Sequence, residues 1–179
     1  LVDFASTVSF IHEVSGGRLK FGIGVSHAPA LKQRGLDGGK PLSDTREFVA
    51  QLKEVPRAGE LPPIVLATLR TKMIALAEEI AGGMVFANGA RSHMAQSLSV
   101  ISESTRSSDF FIGDMIPTCI NDDIEAAKAI NRRTLTSYAM LPNYRNYWKE
   151  AGYVDEMNGI EKALEAGDRE KIPHFLTDR

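Results

Sequence analysis

Apolar positions recur at helical spacing over about residues 3–14, where Phe4, Val8, Ile11 and Val14 share one face, and the run stops at Gly16-Gly17. Glycine ends helices because it accepts the left-handed conformation just beyond the C-cap. The period then changes from helical to two. Leu19, Phe21, Ile23 and Val25 alternate with Gly22, Gly24 and Ser26, which predicts a strand over residues 19–25 with one face stripped of bulk. Glycine weakens a strand, so it marks close approach to the backbone, either by a packing neighbour or by a flat ligand.

A stretch rich in glycine, proline and charge over about residues 28–43 predicts a long loop, after which Asp44 is placed to cap a helix running to about residue 55. Short apolar strands are predicted over 64–67 and 84–87. The helix between them covers 72–81 and closes at Gly82-Gly83. Another helix over 91–103 leads to a strand over 110–120. Asn121 or Asp122 then caps a helix to about residue 138, with Glu125 three residues after Asp122 as in a capping box. From Leu141 onward, helical patterns alternate with turns at Gly152, Gly159 and Gly167.

Short strands alternating with helices predict an α/β fold, with about four parallel strands joined by crossover helices. An open sheet of four strands is small for 179 residues. The expected architecture is therefore a partial TIM (β/α)8 barrel, a single domain over residues 1–179. The chain opens at Leu1 inside a helical pattern and so reads as an internal fragment of a longer barrel.

Composition narrows the function classes. Hydrophobic residues make up 43% and charged residues 25%, ordinary values for a globular chain. A net charge of −2 with scattered Lys and Arg leaves no basic footprint for nucleic acid. No apolar run approaches the ~18 residues of a membrane span. The single Cys119 rules out an internal disulfide and, with four dispersed histidines, gives no metal-ligand spacing; it fits a cytoplasmic location.

In a βα barrel, chemistry sits in the loops after the strands, here around Val25–Pro29, Thr68–Thr71, Asn88–Arg91 and Pro117–Asp122. The run Ala67-Thr68-Leu69-Arg70-Thr71-Lys72 joins a strand end to a helix start. Free N–H groups and the helix dipole there suit a phosphate, reinforced by two hydroxyls and two cations. Thr68 as a plain N-cap is the competing reading. The run lacks the glycines of a nucleoside-triphosphate loop. His27 follows the glycine strand and is a candidate hydrogen-bond partner or proton donor, the one catalytic candidate. Asp122 and Asp123 read as helix caps rather than metal ligands, and Asp114 is a charge inside an apolar strand that needs a partner. Tyr138, Tyr144, Tyr147 and Trp148 cluster. Tyr144 and Tyr147 are candidates to wall an apolar substrate pocket, against the alternative of a helix packed on the outer ring.

Taken in order, four segments resemble the luciferase-like monooxygenase superfamily of flavin- and deazaflavin-dependent oxidoreductases. They are Ser15-Gly16-Gly17-Arg18 with Gly22-Ile23-Gly24-Val25-Ser26-His27-Ala28-Pro29; Gly39-Lys40-Pro41-Leu42 with Arg46-Glu47-Phe48; Pro62-Pro63-Ile64-Val65-Leu66-Ala67 with Lys72-Met73 and Ala81-Gly82-Gly83; and Asn121-Asp122-Asp123 with Leu141-Pro142-Asn143-Tyr144-Arg145-Asn146-Tyr147. The resemblance implies the third helix and strands four to seven of the barrel. It also implies FMN or the deazaflavin coenzyme F420 as cofactor, acting on a small organic substrate, and pairing into a homodimer. It places the cofactor phosphate at Thr68, Leu69, Arg70 and Thr71, and the ring or its ribityl chain near Val25, Ser26 and His27. Relatives commonly carry Gly-Pro where this chain has Arg70-Thr71. The alternative function is a non-catalytic or non-redox barrel that binds a phosphate ligand.

Overall fold

The computed structural model describes residues 1–178. Four parallel strands form one sheet in the order β1-β2-β3-β4: β1 Phe21–Ile23, β2 Ile64–Thr68, β3 Gly83–Ala87 and β4 Phe111–Met115. Ile23 lies opposite Leu66, and Thr68 opposite Phe86. The bonds from the Phe111 amide to the Gly82 carbonyl and from the Asn88 amide to the Met115 carbonyl run in the parallel sense. The four-stranded parallel sheet read from the sequence is therefore present.

Contacts within the expected 1–179 span group into two compact units, Leu1–Ala87 with Ser97–Asp114, and Asn88–Gln96 with Met115–Arg179. The first unit holds α1 (Val2–Val14), α2 (Ala28–Gln33), α3 (Pro41–Lys53), α4 (Thr71–Ile80) and α6 (Glu103–Arg106); the division between the units falls within α5 (Met94–Leu98), after Gln96. On β2, Ile64, Leu66 and Thr68 share a face and are all buried, while Ala67 on the opposite face is exposed. Leu52 of α3, Ile74 of α4, Met84 and Phe86 of β3, and Ile101 complete this core. Phe111, Ile112 and Met115 of the edge strand β4 remain exposed, as do Phe4, Phe10 and Val14 of α1.

Local chemistry explains the element ends. Gly16 and Gly17 both take positive φ after α1, and the Gly17 amide donates to the His12 carbonyl. The expected loop over 28–43 is shorter, because Pro29 and Pro41 open α2 and α3 at positions where a missing N–H is harmless. Asp44 lies inside α3 rather than before it. Its carboxylate accepts the Lys40 amide at the helix start, and Gly39, at φ 56°, leaves the space that carboxylate fills. The expected helix over 91–103 is broken into a 3-10 turn (Arg91–His93), α5 and α6, the last capped by the Ser102 hydroxyl accepting from the Thr105 amide.

The second unit contains α7 (Ile124–Ala139), α8 (Pro142–Glu150), α9 (Val154–Glu165) and a closing 3-10 turn, Arg169–Phe175. The cap of α7 is Asp123, not Asn121 or Asp122: its carboxylate accepts the Glu125 and Ala126 amides, while the Asn121 side chain accepts the Asp123 amide. Tyr144, Tyr147, Trp148, Met157, Ile160 and Ile172 form this unit's core. Among the described residues, no helix is long and apolar enough to cross a membrane.

Candidate functional site

Two of the segments picked from sequence leave neighbouring strands at the same end of the sheet. The register that sets Ile23 against Leu66 continues by setting Gly24 beside Ala67, and a Cβ on Gly24 would stand 2.9 Å from the Ala67 Cβ. Gly24 is thus a close-packing position. Gly22 differs: a Cβ there would meet nothing within 4 Å. The stripped face of β1 is open at one glycine and closed by a neighbour at the other.

Past β1, Val25 and Ser26 are exposed and His27 is half-buried. His27 starts α2 through its backbone, its carbonyl accepting the Ala30 and Leu31 amides, while its ring makes no capping bond. Past β2, Leu69 is buried, and Arg70 and Thr71 are exposed. Arg70, in extended conformation, is the N-cap of α4, and its side chain makes no capping bond. Its first turn carries no acid, whereas Lys72 lies within it. An uncapped helix start with cations and no acid is an anion-favouring terminus.

Thr68 settles differently from a plain N-cap. It is 3% exposed, and its hydroxyl is buried without a hydrogen-bond partner. A hydroxyl left so is unfavourable unless something compensates it. It stands two residues before the α4 N-cap, at the end of β2.

The second unit gathers the aromatic cluster. Tyr147 is 1% exposed, and its hydroxyl accepts the Ala90 amide at 2.9 Å, with its ring edge-on to His93. Tyr144 is buried between Tyr138 and Trp148, at ring separations of 5.0 and 5.7 Å. Burial, and then the neighbouring Tyr138, push its phenol pKa upward. Both tyrosines are core. The cavity of this unit, about 270 Å3, is lined instead by Trp148 and Tyr153 among the aromatics, with Leu135, Met157 and Phe175.

Sequence reasoning placed Asn88 at the head of a candidate loop but gave it no role of its own. It directly follows β3, sits at φ 58°, is 5% exposed and lines that cavity. Asn is among the few residues that tolerate the left-handed conformation, so a polar Asn just after an apolar strand was the available signal. Below the cluster, Arg145 donates to the Ala139 carbonyl and, with Lys149, pairs with Glu161. The hydrogen bond from Lys149, then that from Arg145, holds the Glu161 carboxyl below the usual carboxylate range against the opposing effect of burial. Asp114, the acid inside β4, is half-buried. Among the described residues no three His, Cys, Asp or Glu side chains gather as a metal site.

Comparisons with known proteins agree with the fold. The sequence model of the luciferase-like monooxygenase family matches residues 2–179. Among solved structures, the chain is similar to a coenzyme F420-dependent tetrahydromethanopterin reductase from Methanopyrus kandleri. The TM-score is 0.68 at 14% identity, over 99% of this chain and 63% of that one. The chain thus spans less than two thirds of that reductase, and the likeness is one of fold, that of the partial barrel. No curated protein matches it in sequence.

Proposed function

Because this chain belongs to the luciferase-like monooxygenase family, we propose that it is the cofactor-holding part of a flavin- or deazaflavin-dependent oxidoreductase acting on a small organic substrate. The observation that carries the reading is the β2–α4 junction. An uncapped helix N-terminus follows a parallel strand, and the strand's last residue, Thr68, buries a hydroxyl with no partner. Such a junction suits the phosphate that FMN and coenzyme F420 share.

The residues present fit the group. Thr68, Leu69, Arg70 and Thr71 would hold the phosphate, through hydroxyls, the α4 amides and the Arg70 charge. Val25, Ser26 and His27, leaving the adjacent strand, would lie along the ribityl chain and ring, where Gly22 leaves space open to a flat group. When bound, the cofactor supplies the hydride or oxygen chemistry. The protein's share is to bind, orient and keep water away. Arg70-Thr71 in place of the Gly-Pro common in relatives adds a cation and a hydroxyl at the phosphate.

The test is a fluorescence titration of the protein with FMN and with coenzyme F420. Saturable binding of one at micromolar or lower concentration identifies the cofactor. Binding of neither overturns the reading and leaves the non-catalytic or non-redox barrel.

A further inference from the structure

The sheet of the first unit has two edges, β1 and β4, and beyond each of them no further strand pairs among the described residues. The sheet is also curled. Lys20, directly before β1, sets its ammonium 5.3 Å from the ring centre of Phe111, at the start of β4. Three steps of about 4.8 Å separate those strands, and on a flat sheet, side chains standing perpendicular to it do not meet across that span. Four strands curled toward one face trace part of a closed parallel barrel, which takes eight. Exposed apolar residues lie beside both edges. Helix α1 packs on β1 through Phe4 and Phe21, and one of its faces buries Ala5 and Val8. At about 100° per residue, Phe4, Ile11 and Val14 fall on another face, and all three are exposed. A helix apolar on two faces has a second face to bury. Ile112 of β4 is exposed as well, on the convex side of the sheet because Phe111 takes the concave one.

We propose that a second copy of this chain covers these edges: β4 of each copy lies alongside β1 of the other, closing an eight-stranded parallel barrel about a two-fold axis along the barrel. Rotation about that axis leaves strand direction unchanged, so all eight strands stay parallel. Both edges of both copies are used, so assembly stops at two. The surface is self-complementary. Helices of a βα barrel ring its strands, and α1 leads into β1 on the convex side. Its exposed face therefore lies over the seam between β1 and the second copy's β4, against Ile112. Parallel pairing also sets the start of β4 beside the start of β1. Exposed Asp109 precedes the one, and exposed Arg18 and Lys20 precede the other, so opposite charges meet at both seams. Such exposed pairs orient the copies, while the apolar contact holds them. Any other partner has to carry both complements, the apolar helix face and the apolar strand edge; this chain carries both. The inference rests on the barrel fold and not on the oxidoreductase reading.

Sedimentation equilibrium of the protein at micromolar concentration should give twice the mass of one chain. Ile11→Glu/Val14→Glu, on the exposed face of α1, and Ile112→Lys, on β4, should each raise the dissociation constant about tenfold or more, because both seams then set a charge against an apolar group. Mixing the two variants is the discriminating step. Their heterodimer has one seam with native residues on both sides and one in which Glu faces Lys, so dimers should reappear. A pairing of copies through any other surface does not bring α1 against Ile112, and mixing then restores nothing. Far-UV circular dichroism checks that each variant folds. If Ile112→Lys does not, Asp109→Lys, which changes an exposed side chain before the same strand, is mixed in its place with the same two outcomes. A monomeric parent, a dimer that neither variant weakens, or no recovery on mixing would overturn the proposal.

Discussion

The Tyr147 hydroxyl accepts the Ala90 amide at 2.9 Å, and one residue on, the Trp148 indole N–H reaches the Asn88 carbonyl at 3.4 Å. Consecutive residues of α8 therefore hold the loop that follows β3 by its backbone. This fixes Asn88 in its left-handed conformation at the cavity wall. Tyr147→Phe keeps the ring and strands the Ala90 N–H. It should destabilise the protein by about 1–2 kcal/mol, the cost of a part-buried donor without a partner. Urea unfolding followed by Trp148 fluorescence measures this.

The two glycines of β1 make opposite predictions. Gly24→Ala sets a methyl 2.9 Å from the Ala67 Cβ and should destabilise by about 1–3 kcal/mol through overpacking between strands. Gly22→Ala meets nothing within 4 Å and requires no unusual φ. It should leave stability unchanged or raise it by up to about 1 kcal/mol, by restricting the unfolded chain. If the open face of Gly22 receives the flat ring, the same substitution should weaken cofactor binding despite the intact fold. Parallel denaturation and cofactor titration of the two variants separate packing from binding.

The element order and the parallel sheet were readable because short apolar strands and helical stripes carry different periods, as in Leu19–Val25 against Phe4–Val14. The β2–α4 junction was readable for the same reason: a strand end, two threonines and a helix start lie in one continuous run. Details that depend on three-dimensional competition were not. Three adjacent residues, Asn121, Asp122 and Asp123, all have cap chemistry, and only backbone geometry selects Asp123. Tyr144 and Tyr147 have the amphipathic rings of a pocket wall, but both are buried in the core of the second unit, and of the buried α8 aromatics it is Trp148 that lines the cavity. Asn88 stood in a candidate loop, and its left-handed φ and buried, unpaired amide are what the structure adds.

Glu161 gives the second unit a pH dependence of definite sign. Lys149 and Arg145 lower its carboxyl pKa in the folded state. The stabilisation is fully present above the unfolded value, roughly pH 4.3, and is lost as pH falls through the lower folded value. Glu161→Gln should be less stable than the parent at pH 7, because Arg145, with a side chain 11% exposed, loses its counter-charge. The gap should narrow as pH drops below roughly 4. Denaturation midpoints of both proteins from pH 7 to pH 3 give the comparison.

Thr68→Val separates stability from function. Removing a buried hydroxyl that has no partner, at nearly constant volume, should leave the fold as stable or up to about 2 kcal/mol more so. A threonine retained for structure alone would lose stability instead. Thermal and urea unfolding of the variant discriminate the two.

The most direct measurement of the phosphate anchor compares cofactors with and without their phosphate. The parent and a Thr68→Val/Thr71→Val variant are titrated with FMN and riboflavin, and with coenzyme F420 and its phosphate-free deazaflavin. With the anchor at the start of α4, the variant should lose about tenfold or more in affinity for the phosphorylated form, the worth of one to two charge-assisted hydrogen bonds, and little for the phosphate-free one. Equal losses for both forms, or none for either, would place the phosphate elsewhere and contradict the assignment of Thr68–Thr71.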